Sequence, residues 1–246
     1  MHNSDFLFAG KKSADRCLRF RNTLTALAVF LFVLLSIFAC SNEAPSAANR
    51  SESQGSDGVS PGTIVAVGDS LTAGYGVDET EAYPALLEKR LHLDGFYYKV
   101  INAGISGETS SGTLSRIEWV VRSLKPDIII LETGANDGLR GVDPAVLEKN
   151  LDEIITIIKS SGIKILLAGM RMPPNLGPVH TARFSNVYPK IADKHHLVLI
   201  PFFLESVAGK TRYNLPDRMH PNAEGYRRIL DDIYPHVLAV IKGEKG

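Results

Sequence analysis

Residues from two distant parts of this chain have the side chains that acyl transfer requires. Ser70 lies in a Gly-Asp-Ser segment directly after the apolar residues 64–67. Asp217 and His220 are three residues apart, so the carboxylate can accept a hydrogen bond from one imidazole nitrogen while the other faces outward. A serine hydroxyl becomes a strong nucleophile when such a histidine removes its proton. The pattern predicts nucleophilic catalysis at Ser70, although a Gly-Asp-Ser segment alone can simply break a strand and cap a helix.

Two further segments could donate hydrogen bonds to a developing oxyanion. Asn136 lies in residues 133–138, and a rigidly held asparagine amide can act as such a donor. Gly104 and Gly107 leave backbone amides uncovered in residues 102–112, which lack the lysine of a phosphate-binding loop. Each segment also has a structural explanation, because Asn, Asp and Gly are common in turns and strand-to-helix connections. Only the combination of these segments with Ser70 and His220 is specific.

The other six histidines show no comparable pattern in the sequence. His195 and His196 close a predicted helix, where a cation favours the helix dipole. His92 and His236 are predicted on helix surfaces, and His180 in a loop. The chain also contains no G-x-S-x-G segment, so the common α/β-hydrolase arrangement of the nucleophile is absent.

The elements that must position these residues alternate along the chain. Apolar runs predict strands at residues 63–67, 97–102, 127–132, 164–169 and 197–201. Amphipathic runs predict helices at residues 83–93, 113–124, 144–160, 181–195 and 222–241. The clearest helix, 144–160, has Asp143 as a cap, Pro144 in its first turn and Gly162 after its end. Its apolar residues recur every three to four positions: Val146, Leu147, Leu151, Ile154, Ile155 and Ile158.

This alternation predicts the fold class. Strands that are apolar throughout and separated by helices indicate an α/β three-layer sandwich with a five-stranded, parallel, doubly wound sheet. In such sheets ligands bind beyond the carboxyl ends of the strands, and Ser70 and Asn136 both follow predicted strands at that edge.

Composition excludes several function classes. After the first 39 residues, acidic residues outnumber basic residues by 25 to 22, which argues against a nucleic-acid partner. The two cysteines, Cys17 and Cys40, form no cluster with metal-ligand spacing, so we expect neither a metal nor another cofactor.

The amino-terminal region predicts export. Basic residues precede seventeen uncharged residues, 23–39, as in a signal peptide. The segment Ile37-Phe38-Ala39-Cys40 resembles a lipoprotein cleavage site, so we predict a signal peptide at residues 1–39 and lipidation of Cys40. The alternative is an uncleaved membrane anchor. Either way, the rest of the chain lies outside the cytoplasm, and the cleaved form is a periplasmic or cell-envelope lipoprotein.

The residues after Cys40 divide into two predicted parts. Residues up to 62 are rich in Ser, Gly and Pro and predict a flexible tether. Residues 63–246 form the predicted catalytic domain, for which we favour a monomer.

The four polar segments together resemble the sequence blocks of the SGNH (GDSL) hydrolase family in order and spacing. They are GDSLTAGYG at 68–76, NAGISGET at 102–109, GANDG at 134–138 and DRMHPN at 217–222. The likeness covers about residues 63–241 and is greatest to the exported thioesterase/lysophospholipase and arylesterase branch.

The resemblance implies a role for each matched residue. Ser70 would be the nucleophile, His220 its base and Asp217 the group that orients His220. The oxyanion hole would consist of the Ser70 and Gly107 N–H groups and the Asn136 side chain, with Asp69 and Asp137 supporting the loops. The family implies hydrolysis of acyl or aryl esters, including lysophospholipids and thioesters, through an acyl-enzyme.

The substrate is less well defined by the sequence. We expect an apolar wall for the acyl chain from residues after the third and fourth strands: Leu139, Val142, Met170, Met172, Pro173 and Leu176. Packing within the loops is the alternative explanation for these residues. A polysaccharide O-deacetylase of the same family would use the same catalytic residues, and a membrane-tethered binding module without turnover would keep the same fold.

Overall fold

The computed structural model describes residues 62–243. The predicted signal peptide, Cys40 and the predicted tether up to residue 61 lie outside the described residues. Within residues 62–243, none of the helices combines the length and apolarity that crossing a membrane requires.

Five parallel strands form one sheet, as the sequence predicts. They are β1 (Gly62–Gly68), β2 (Tyr98–Gly104), β3 (Ile128–Glu132), β4 (Lys164–Ala168) and β5 (Val198–Ile200). The order across the sheet is β2-β1-β3-β4-β5, and every neighbouring pair is parallel. The chain reverses its direction of winding between β1 and β3, which is where ligands bind in sheets of this order.

Eight helices connect or flank these strands in the described part of the chain. They are α1 (Ser70–Ala73), α2 (Tyr83–Leu93), α3 (Ser110–Leu124), α4 (Ala135–Leu139), α5 (Pro144–Ser160), α6 (Pro178–Ser185), α7 (Val187–His195) and α8 (Ala223–Lys242). Helix α3 packs on α5 and α2 packs on α8, while β4 contacts both α5 and α8. The sheet therefore lies between two helical layers, which confirms the predicted three-layer sandwich.

Helix α5 shows how the sequence determines a boundary. The Asp143 carboxylate accepts a hydrogen bond of 3.0 Å from the Ala145 N–H, and Pro144 needs no such partner because it has no N–H. The apolar stripe is buried against the sheet from Leu147 to Ile158, but Val146 is 42% exposed and lies outside it.

The predicted helix at 181–195 is wrong in one respect, because the structure has two helices there. Helices α6 and α7 meet at Asn186. Pro189 explains the break: in a continuous helix its ring would clash with the carbonyl of Ser185, whereas in the first turn of α7 it is tolerated. Helix α6 also begins earlier than predicted, at Pro178, so His180 lies in a helix rather than in a loop.

Candidate active site

Ser70 is held at the carboxyl end of the central strand β1. Asp69 caps α1, because its Oδ1 accepts a hydrogen bond of 3.0 Å from the Leu71 N–H, and Ser70 is the first residue of that helix. Gly68 is required before it, since a Cβ there would collide with Thr72 and Glu132. The strand-to-helix turn thus fixes the Ser70 backbone.

The structure brings Ser70, His220 and Asp217 together, as the sequence predicts. The Ser70 Oγ lies 3.0 Å from the His220 Nε2, although the two residues are 150 positions apart. The His220 Nδ1 lies 2.6 Å from the Asp217 Oδ2. In this arrangement the Nδ1 proton is donated to the carboxylate, which leaves Nε2 free to accept the Ser70 proton.

Asp217 is held as a carboxylate by the turn in which it lies. Desolvation alone would raise the pKa of Asp217, but hydrogen bonds from the N–H groups of His220 and Met219 and from the His220 ring lower it to about 2. The turn is closed by the Leu215 N–H, which donates to the His220 carbonyl over 2.8 Å. The Tyr75 ring lies 4.6 Å from the His220 ring and packs against it.

The predicted oxyanion donors lie on loops that contact one another at the same edge, and Ser70 and Asn136, but not Gly107, line the cavity there. The Asn136 Nδ2 donates to the Asp69 Oδ2 over 3.1 Å and to the Glu108 carbonyl over 3.0 Å, so this amide joins the loops after β1 and β2. The Gly107 N–H and the Ser70 N–H have no acceptor among residues 62–243. An oxyanion bound by Asn136 would have to share or replace one of its two present acceptors.

Asp137 supports the site without facing the cavity. Its two carboxylate oxygens accept hydrogen bonds of 2.8 and 2.5 Å from the N–H and hydroxyl of Ser110, the first residue of α3. Asn150 of α5 donates to the same hydroxyl over 2.8 Å. Asp137 therefore ties α4, which carries Asn136, to the helix behind it.

Glu132 is a buried carboxyl group that sequence reasoning missed. It ends β3 with no exposed surface, accepts a hydrogen bond of 2.9 Å from the Thr72 hydroxyl and contacts the Asp69 carboxyl group. Its Oε1 has no partner among the described residues. Burial and the nearby charge of Asp69 raise the pKa of Glu132 well above its usual range, and burial also raises the pKa of Asp69. A charged residue at the end of an otherwise apolar strand was the available sequence signal.

A cavity of about 580 Å³ opens beside Ser70 and His220. Of the predicted apolar wall, Leu139, Met170, Met172 and Pro173 line it, whereas Val142 and Leu176 do not. Leu176 packs against the core instead. Sequence reasoning missed several lining residues from the loops after β4 and β5 and from the turn before His220: Arg171, Pro174, Phe202, Leu204, Ala208, Gly209, Asn214, Arg218 and Met219.

His220 is not alone in pairing with an aspartate. The His195 Nε2 lies 2.6 Å from the Asp152 Oδ1, which also pairs with Lys194 over 2.7 Å. Asp152 lies on a different helix, so the local spacing around His195 could not indicate this pair, and within residues 62–243 the structure brings only His220 to Ser70. No group of three or more His, Cys, Asp or Glu side chains suited to a metal ion occurs within residues 62–243.

Comparisons with known proteins agree with this fold and site. Residues 66–228 match the GDSL-like lipase/acylhydrolase family. The chain is 41% identical to esterase TesA of Pseudomonas aeruginosa over 70% of this chain and 86% of that protein. It is 37% identical to thioesterase 1/protease 1/lysophospholipase L1 of Escherichia coli K12, over 69% and 80%. The crystal structure of AlinE4, an SGNH-hydrolase family esterase, superposes with a TM-score of 0.64 at 42% identity, covering 74% of this chain and 97% of that one.

The fold and these likenesses define a carboxylic ester hydrolase of the α/β class. More specifically, the chain belongs to the GDSL (SGNH) lipase/acylhydrolase family. This result confirms the resemblance seen in the sequence blocks and sets aside the alternative of a binding module without turnover.

The buried carboxyl group of Glu132 predicts a pH-dependent stability. Because its pKa is raised in the folded state, Glu132 favours folding below its ordinary value near 4.5 and loses that contribution as pH rises toward the folded-state value. Glu132→Gln keeps the shape but cannot ionise. We therefore expect the free energy of unfolding of Glu132→Gln, relative to the wild type, to increase from pH 5 to pH 8 in urea titrations.

The matched control is Glu118→Gln on the exposed surface of α3. The control should show no comparable gain relative to the wild type over the same pH range. A stability difference between Glu132→Gln and the wild type that stayed constant from pH 5 to pH 8 would mean that the pKa of Glu132 is not raised in the folded protein.

Proposed function

We propose that this protein is a serine esterase that cleaves acyl esters through an acyl-enzyme on Ser70. The observation that carries the proposal is the continuous contact from the Ser70 Oγ to the His220 Nε2, and from its Nδ1 to Asp217. His220 takes the serine proton as Oγ attacks the ester carbonyl carbon. It then gives that proton to the leaving oxygen or sulfur, and water releases the acyl group by the same steps.

The tetrahedral intermediate carries a negative charge that needs donors aimed at one oxygen. We assign this role to the backbone N–H groups of Ser70 and Gly107 and to the Asn136 side chain. The Asn136 amide already reaches Asp69 and Glu108, so the loops that carry all three donors are in contact before substrate binds.

The cavity supports a substrate with an acyl chain. Its apolar side is formed by Leu139, Met172 and Pro173, and the thioether of Met172 can adapt to chains of different shape. The relatives named thioesterase and lysophospholipase point in the same direction, so we propose medium- or long-chain acyl esters, including lysophospholipids and thioesters.

The location of the enzyme is also a proposal. The signal-like amino terminus and the predicted lipidation of Cys40 favour an exported lipoprotein of the cell envelope. A lipid anchor would hold the catalytic domain near the lipids from which such acyl esters derive.

Replacing Ser70 with alanine tests the proposed nucleophile. We expect Ser70→Ala to abolish measurable hydrolysis of p-nitrophenyl acetate, since no other hydroxyl group contacts the His220 Nε2 among the described residues. Ser115→Ala, on the exposed surface of α3, is the control and should retain wild-type turnover. Wild-type rates in Ser70→Ala would refute the assignment.

Removing the Asn136 amide tests the oxyanion assignment. We expect Asn136→Ala to lower kcat by about 10²–10³ with little change in KM, because the donor acts mainly in the transition state. Steady-state kinetics should be paired with thermal unfolding, and with Asn186→Ala at the α6–α7 break as a control. An unchanged kcat in a folded Asn136→Ala protein would remove this residue from the oxyanion hole.

The apolar cavity predicts a preference for longer acyl chains. We expect kcat/KM to rise at least about tenfold from acetyl to octanoyl p-nitrophenyl esters, since each buried methylene contributes up to about 0.8 kcal/mol. Leu139→Ala should reduce this preference, whereas Leu93→Ala, which is exposed outside the cavity, should not. Equal rates across the series would argue for a small acyl group such as acetate, as in a deacetylase.

A further inference from the structure

The exposed charges that line the active-site cavity are positive. Arg171 and Arg218 contribute to its lining. Asp69 is the acidic residue in that lining, and it is buried and bonded to Leu71 and Asn136. A ligand in this cavity therefore meets an apolar wall and two guanidinium groups.

Of these two arginines, Arg218 has fewer neighbouring groups that neutralise its charge. Arg171 lies over the Phe202 ring at 5.1 Å and pairs with Glu205 at 3.5 Å. No carboxylate within residues 62–243 forms a salt bridge with Arg218, and the adjacent Asp217 is used by His220. An exposed guanidinium without a carboxylate partner is well suited to bind an anionic oxygen group.

The backbone at Arg218 is unusual for a residue with a side chain. Its φ is +62°, in the left-handed region that favours glycine. Lys125 and His196 also have positive φ in the described residues, but each ends a helix, where this conformation is common. Arg218 ends no helix. A glycine would fit this turn better, so the presence of arginine indicates a use for its side chain.

Arg218 lies in the same turn as the residue that would protonate the leaving group. His220 gives its proton to the leaving oxygen or sulfur, and Arg218 is two residues before it in the same turn. The apolar wall from Leu139 and Met172 comes from other loops and suits the acyl chain. This arrangement favours the alcohol or thiol part of the substrate, rather than its acyl chain, as the partner of Arg218.

We propose that Arg218, with Arg171 beside the same cavity, binds a phosphate group carried by the leaving alcohol or thiol. This inference rests on the proposed function and narrows its substrate class. During cleavage the Ser70 Oγ bonds to the carbonyl carbon, and the single bond from that carbon to the leaving oxygen or sulfur breaks. His220 protonates the leaving atom, and the phosphate stays on the released alcohol or thiol. Arg218 is a specificity residue, because it contacts the substrate away from the reacting atoms.

Substrate pairs that differ by one phosphate test this proposal. One pair is 1-octanoylglycerol 3-phosphate and 1-octanoylglycerol, and the other is S-octanoyl-4′-phosphopantetheine and S-octanoyl-pantetheine. We expect the wild type to have the higher kcat/KM for the phosphorylated member of at least one pair. The pair with the larger effect distinguishes a lipid headgroup from a phosphopantetheine thioester as the source of the phosphate.

Variants at Arg218 then measure its share of that preference. We expect the ratio of kcat/KM for the phosphorylated over the neutral substrate to fall about three- to tenfold in Arg218→Gln and Arg218→Gly. Arg218→Lys should retain most of the ratio, and 0.5 M NaCl should reduce it in the wild type. Arg218→Gly suits the left-handed backbone, so we expect its melting temperature to be no lower than that of the wild type.

The control and the possible outcomes separate this inference from the proposed function. Arg122→Gln, at the far end of α3, removes the same charge outside the cavity and should leave the ratio unchanged. An unchanged ratio in both Arg218→Gln and Arg218→Gly overturns the inference alone, as does an equal loss on both members of a pair. Absence of any turnover by the wild type would overturn the proposed function, and this inference with it.

Discussion

The hydrogen bond between the Ser70 hydroxyl and the His220 imidazole is the contact on which the rest of this enzyme depends. It joins residues 150 positions apart, so it forms only when the whole sheet is assembled. The strand order places β1 between β2 and β3, and all their carboxyl ends meet at one edge. The last helix, α8, begins just after His220 and packs on α2, which fixes the turn of Asp217 against the start of the domain. Catalytic geometry here is a consequence of parallel topology.

Buried polar groups near that contact fix the positions of the loops relative to one another. Asp69 caps the helix that starts at Ser70 and accepts a hydrogen bond from Asn136, so one carboxylate links the nucleophile turn to the proposed oxyanion donor. Glu132 lies against Asp69 in a fully buried position, and the desolvation that raises its pKa favours a neutral acid there. A second negative charge at Glu132 would repel the Asp69 carboxylate, whereas a neutral acid would not. A raised pKa at Glu132 therefore limits the repulsion between these two buried carboxyl groups.

The sequence predicted the parts of this structure that depend on local chemistry and repeated patterns. The bounds of α2 and α5, the five parallel strands and the meeting of Ser70 with His220 follow from caps, apolar periodicity and matched blocks. The break at Asn186 was missed because helical periodicity continues through it, while the steric demand of Pro189 is a single-residue effect. Cavity residues such as Phe202 and Arg218 were missed because long loops place them, and no period identifies which loop side chains face inward. The partner of His195 was missed for a similar reason, since Asp152 lies on a different helix.

The central claim, that His220 activates Ser70, is tested most directly by a fluorophosphonate probe that reacts only with an activated serine. Wild-type protein and His220→Ala should be labelled under the same conditions, and the modified peptide should be identified by mass spectrometry. The account predicts one adduct, on Ser70, with a rate of labelling that falls by orders of magnitude in His220→Ala. Labelling at another residue, or equal rates in the two proteins, would contradict it.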